Sequence, residues 1–184
     1  MHIHIKGMVC NHCITAVREA FADAGIPGAE ISLGLAIVPG TELTPEQTAA
    51  LDSALCKRGF ERITDQDTRL VEQTRLAIME HVRSGECRSN LSACLQRRLG
   101  MEYSAISKLF SAREGRTIEK YAIAQRIEYA KELLSYGELN VSEVADKTGY
   151  SSTAHFSQQF KAVTGLTPTQ YLASEMKRTP LNLI

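Results

Sequence analysis

Residues 142–171 read SEVADKTGYSSTAHFSQQFKAVTGLTPTQY, and this stretch decides the architecture of the chain. Just upstream, Asn140 is suited to cap a helix, Glu143 can reach back to close a capping box, and Leu139 is placed as a hydrophobic staple. Val144 and Ala145 face inward, and Gly149 supplies a tight turn into a second helix, STAHFSQQFKAVTG. Phe156 and Phe160 bury the inner side of that helix, which leaves Ser152, Thr153, His155, Ser157 and Gln158 outward. Short hydroxyl and amide side chains of this kind fit base edges and phosphates in a major groove.

Working outward, the pattern repeats. Phe160, Gly165, Thr167 and Tyr171 stand 50 positions after Phe110, Gly115, Thr117 and Tyr121. Each has a mechanical role: Phe anchors a helix, Gly ends it in the left-handed conformation, Thr caps the next helix and Tyr locks it down. LSACLQRRLG and EYSAISKLFSAREG form the earlier unit, with Ile106 and Phe110 inward and Tyr103, Ser104, Ser107 and Lys108 outward. Between the two units, TIEKYAIAQRIEYAKELLSYG reads as one helix of about 20 residues, or about 30 Å. That is close to one DNA turn of about 34 Å, so one chain can set two reading helices in successive major grooves.

With these motifs in place, residues 70–175 resemble the DNA-binding domain of the AraC family of transcription regulators. The resemblance implies a seven-helix domain binding double-stranded promoter DNA through adjacent major grooves. By position it implies contacts from Ser104, Ser107 and Lys108 in the first unit. In the second it implies Ser152, Thr153, Ala154, His155, Gln158 and Lys161. Many relatives carry Arg where this chain has Lys108 and Gln158, and Arg is the usual bidentate reader of guanine, so a G preference there is not expected. A contact with RNA polymerase and a homodimer are further expectations.

The front of the chain is built differently. His2 to Lys6 alternates as a half-buried strand, and GMVCNHC leads into a helix with Ile14, Val17, Ala20 and Phe21 on one face. AEISLG and LAIVPG read as two strands meeting near Gly34. Thr44-Pro45 opens a second helix, and a short strand follows near Arg62–Thr64. The order βαββαβ predicts a small ferredoxin-like sandwich over residues 1–66, followed by an all-α domain over residues 67–184. The polar run Asp65-Gln66-Asp67 marks the boundary.

Cys10 and Cys13 stand between the first strand and its helix, where two intervening residues let both sulfurs face one centre. A helix N-terminus favours thiolates, and a soft thiolate pair suits Cu(I), with Zn(II) the alternative. The same pair also serves thiol exchange, so a redox switch stays open beside metal binding. A plain interaction or dimerisation module is the third reading of the segment. Met8 is expected to pack beneath the loop, while His12 could add a ligand. Residues 1–65 resemble the heavy-metal-associated domain of copper chaperones and metal-transporting ATPases, through Met8, Cys10, Cys13 and the Gly59-Phe60 pair. The segment ISLGLAIVPG is short for that family's second and third strands.

Composition separates the halves further. The formal net charge is zero, yet residues 1–69 hold 6 Lys and Arg against 9 Asp and Glu, while residues 70–184 hold 15 against 12. Local charge matters for phosphate binding, and the positive excess falls on the helical half. Five cysteines with no export signal predict a cytoplasmic protein without structural disulfides. Cys56 and Cys94 read as packed residues, and Cys87 as part of a polar loop. No phosphate-cradling glycine loop or helical two-His motif accompanies the cysteine pair, so no enzyme is expected. The rival reading is a metallochaperone-like protein whose helical half docks a partner.

Overall fold

The computed structural model describes residues 1–40, 42–84 and 90–174, and the expected loop around Cys87 lies outside them. The chain divides into two compact units, Met1–Leu76 and Ala77–Ile184.

In the first unit the elements run β1 (His2–Lys6), α1 (Asn11–Asp23), β2 (Glu30–Ser32), β3 (Leu35–Ile37), α2 (Pro45–Cys56) and β4 (Glu61–Ile63). The sheet order is β2-β3-β1-β4, antiparallel throughout, with His4 opposite Leu35 on one side and Ile63 on the other. Alternation along β1 turns Ile3 and Ile5 into a core shared with Val17, Ala20 and Phe21 of α1 and Leu51 and Leu55 of α2. Thr44 caps α2 as expected, in a full capping box with Gln47. Arg62 of β4 grips Asp52 of α2 through two hydrogen bonds of 2.8 and 2.9 Å. The guanidinium holds the Asp52 carboxyl below its ordinary range.

The β2–β3 turn pivots on Gly34, whose φ is +76°. That conformation is what requires glycine; a Cβ there would also stand 2.4 Å from Leu76 Cδ1 and make the end of that side chain move. Two expectations about side chains change. Cys56, read as packed, is exposed because it closes α2 on the solvent side, and Cys94 is only half-buried.

The polar run at Asp65 is the start of a helix rather than a bare linker. The Asp65 carboxylate accepts the Thr68 N–H at 2.8 Å, and α3 then continues from Gln66 to Arg83. The division between the units falls inside this helix, at Leu76 and Ala77.

Beyond α3, the second unit contains α4 (Leu91–Leu99), α5 (Tyr103–Glu114), α6 (Ile118–Tyr136), α7 (Val141–Lys147), α8 (Thr153–Thr164) and α9 (Pro168–Ala173). With α3 these make seven helices among the described residues, the number the resemblance implied. Helix α6 buries ten of its 19 residues, among them Gln125, Glu128 and Lys131. Glu128 and Lys131 pair with each other inside the domain. Ile127, Ala130 and Leu134 carry the apolar core onto Val144, Phe156, Phe160 and Tyr171.

Candidate nucleic-acid interface

The second helix-turn-helix is built by α7 and α8. Asn140 Oδ1 accepts the N–H groups of Ser142 (2.9 Å) and Glu143 (3.0 Å), and Glu143 accepts the Asn140 N–H at 2.7 Å. This box fixes the start of α7. The buried Thr148 hydroxyl donates back to the Val144 carbonyl at 2.7 Å and ends the helix. Tyr150 then inserts its ring 5.3 Å from Phe156, setting the angle at which α8 departs. Ser152 accepts the His155 N–H at 3.2 Å, so its hydroxyl caps α8. The Thr153 hydroxyl reaches Ser142 at 3.3 Å and ties the two helices at their starts.

With Phe156 and Phe160 fully buried, α8 leaves Thr153, Ala154, His155, Gln158 and Lys161 exposed. The edge of Tyr150 supports the His155 ring at 5.4 Å. The first unit leaves Ser104 and Lys108 exposed on α5 and Ser107 half-buried. Each expected contact residue therefore stands on an outer helix surface or at its cap, though Ser152 and Thr153 also serve the fold.

The two units superpose in sequence more fully than the four repeated residues indicated. Asn90 caps α4 as Asn140 caps α7, again 50 positions apart. Gly115 and Gly165 both end reading helices with positive φ, 66° and 82°, and Thr117 and Thr167 both cap the helix that follows. Phe110 meets Tyr121 edge-on at 5.5 Å, and Phe160 meets Tyr171 edge-on at 5.5 Å. The Asn90 cap was available to sequence reasoning, since Asn-x-Ser recurs at residues 140–142.

The start of the reading helix differs between units. Glu102 occupies the place of Ser152 without capping α5, and instead accepts from Gln96 Nε2 at 3.1 Å. Tyr103 donates its hydroxyl to Glu119 at 2.5 Å, fastening α5 to the first turn of α6. Burial and this bond push the Tyr103 phenol up to about 12. Charge is also unevenly divided. Residues 90–121 hold six Lys and Arg against three Asp and Glu, whereas residues 140–171 hold two against two.

The cysteine pair forms a separate candidate site. Cys10 and Cys13 lie at the start of α1 with their sulfurs 3.5 Å apart, and the Val9 N–H points at Cys13 Sγ from 3.5 Å. Met8 is fully buried, and its sulfur accepts the Gly34 N–H at 3.4 Å, which removes it from the thiol centre. His12 is exposed on α1. Among the described residues, no group of three or more His, Cys, Asp or Glu side chains is gathered to hold a metal.

Two helix-turn-helix units, α4–α5 and α7–α8, joined by the central helix α6 define the class of the second unit, a double helix-turn-helix module. Residues 95–174 match the family profile described as "Helix-turn-helix domain". The C-terminal domain of AraT, a response regulator from Geobacillus stearothermophilus, superposes with a TM-score of 0.54 at 26% identity, covering 61% of this chain and 91% of that one. The probable transcriptional regulator LumQ of Photobacterium leiognathi is 36% identical over 63 residues, 34% of this chain and 25% of its own. The xylose operon regulatory protein of Escherichia coli K12 is 24% identical over 183 residues, covering 89% of this chain and 47% of that protein. Residues 95–174 thus carry a helix-turn-helix domain. The chain spans about half or less of the length of these two curated relatives. Among the described residues, no helix is long and apolar enough to cross a membrane.

Proposed function

We propose that the protein is a sequence-specific DNA-binding transcription regulator that lays α5 and α8 into adjacent major grooves of a promoter. The observation carrying this reading is the 50-residue register of caps, anchors and turns, which presents two polar helix surfaces on one framework. The central helix α6 has 19 residues, about 28 Å of rise, which suits two grooves one turn apart. The candidate contacts are Ser104, Ser107, Lys108, Thr153, Ala154, His155, Gln158 and Lys161, with Ser152 at the cap. Regulators rather than enzymes are what the relatives' names describe. Selection from a random duplex pool, followed by fluorescence anisotropy, tests the reading. Lys108→Ala and Gln158→Ala should weaken binding to the selected duplex while the far-UV spectrum is kept. Affinity equal to wild type in both variants would overturn these assignments.

The N-terminal unit is read as a ferredoxin-like sandwich whose thiol pair takes a thiophilic ion and controls the DNA-binding half, the working boundary lying at residues 66–67. Its element order and its β2-β3-β1-β4 sheet support that reading. What supports an ion there is a pair of soft sulfurs held 3.5 Å apart at the start of α1, a donor set of two. Cu(I) is favoured because the donors are two soft thiolates. Titration against a competing chelator, with Cys13→Ser as control, tests the site. Equal weak binding by both proteins would refute it. A cytoplasmic location, a homodimer and a contact with RNA polymerase belong to the same proposal.

A further inference from the structure

Glu72 places a carboxylate where an apolar side chain would pack at lower cost. It lies on α3 with only 5% of its surface exposed. One oxygen accepts the backbone N–H of Gly7 at 3.0 Å, and the other lies 3.4 Å from Arg75 Nη1. A buried carboxylate is tolerated only when such partners hold it, so removing one partner disturbs the other.

Gly7 opens the run Gly7-Met8-Val9 that leads to Cys10. Its φ is +92°, and a Cβ there would meet the Gly59 carbonyl at 3.3 Å, so this backbone is closely confined. One turn beyond Glu72, Leu76 packs on Gly34, whose N–H is bonded to the Met8 sulfur. Helix α3 thus holds the start of the cysteine loop directly through Gly7 and indirectly through Gly34 and Met8. At the far end of the same run, the Val9 N–H points at Cys13 Sγ. Three residues separate the Glu72 carboxylate from the thiol pair. The helix carrying Glu72 continues unbroken to Arg83, with Ala77, Ile78, Met79 and Val82 buried in its second half.

We propose that Glu72 is the positioning residue through which occupancy of the Cys10/Cys13 pair is registered by α3. The proposal rests on the reading above that this pair controls DNA binding. An ion that draws both sulfurs to itself moves the groups around Val9. The shortness of the run passes that movement to the Gly7 N–H, and its bond to Glu72 differs between the free and occupied loop. A difference of this kind is what linkage between two sites requires.

The test uses the full chain, with Cu(I) as the probe under anaerobic conditions. Hydrogen exchange of the Gly7 amide and of residues 68–76 should change together on Cu(I) addition. Wild-type affinity for the selected duplex should shift by about fivefold or more on loading, the lower range of typical couplings. Glu72→Gln, which keeps an acceptor for Gly7, should retain that shift. Glu72→Ala should bind both Cu(I) and DNA yet show a loaded-to-free affinity ratio near one. A Glu72→Ala protein that responds as wild type does would overturn the role of Glu72 while leaving control by the loop intact. A wild-type protein that binds Cu(I) with no change in DNA affinity would overturn the control reading itself. Should Glu72→Ala fail to fold, the exchange experiment decides on the wild type: a loop that changes while residues 68–76 do not refutes the proposal.

Discussion

The uneven charge of the two helix-turn-helix units makes salt the sharpest probe of the proposed DNA binding. Seven cations of the two helix-turn-helix units are exposed; setting aside Arg98, which pairs with Glu80, and Arg113 in the last turn of α5 leaves Arg97, Lys108 and Lys120 in the first and Lys147 and Lys161 in the second. If each neutralises one phosphate, the slope of log affinity against log salt is about −4.5, at about −0.9 per contact. Raising salt fourfold then weakens wild-type binding by about 500-fold. Lys108→Gln removes one contact, which brings the slope to about −3.6 and the same loss to about 150-fold. The substitution removes a charge at an exposed position, so folding should be unaffected. Anisotropy titrations with the selected duplex, at salt concentrations from about 50 to 200 mM, resolve a change of this size. Lys57→Gln, an exposed change at the end of α2 in the other unit, serves as the control and should leave the slope unaltered. Equal slopes for wild type and Lys108→Gln would refute the placement of α5 against the duplex. A wild-type affinity insensitive to salt would refute phosphate binding by the helical half altogether.

Three further outcomes follow from local geometry. Asn140→Ala removes the acceptor for two amides at the start of α7 and should cost about 1 kcal/mol in urea denaturation, with Asn90→Ala in the same range. Gly34→Ala places a Cβ against Leu76 at a φ of +76° and should cost about 1–3 kcal/mol, read as a lowered Tm. The Tyr103 phenol has a folded pKa raised from 10.0 to about 12, so its contribution is complete below about pH 10 and is lost as pH rises through 12. Wild-type stability should therefore fall more steeply than that of Tyr103→Phe between these values. Parallel curves would refute the upward shift that burial and the bond to Glu119 give this phenol.

Legibility in the sequence followed the range of the physics involved. Helix caps act over three residues, so Thr44 with Gln47, and Asn140 with Glu143, could be read directly and recur in the fold. The repeated Phe and Tyr were visible because each spans one helix and one turn, and the fold returns them as matching edge-on pairs. Burial at helix ends was less readable. Cys56 has apolar neighbours in sequence, but it falls on the side of α2 opposite Leu51 and Leu55 and faces solvent. The interior of α6 was hidden too, because Glu128 and Lys131 read as surface residues until their mutual pairing is seen.

Asp65 shows why the helical surfaces and the contact of α3 with the cysteine loop differ in legibility. A polar run with no apolar side chain is equally consistent with a linker and with the first turn of a helix, and only the Asp65 bond to the Thr68 amide separates the two. Once that run is a helix start, the residues after it belong to an element shared by both compact units. Glu72 then gains a meaning that spacing alone could not supply, because its partner Gly7 lies 65 positions away. The exposed polar surfaces of α5 and α8 are set by local periodicity and were open to sequence reasoning. Any control exerted on them from Cys10 and Cys13 must pass through contacts distant in sequence, and the bond between Glu72 and Gly7 is one that joins the thiol loop to α3.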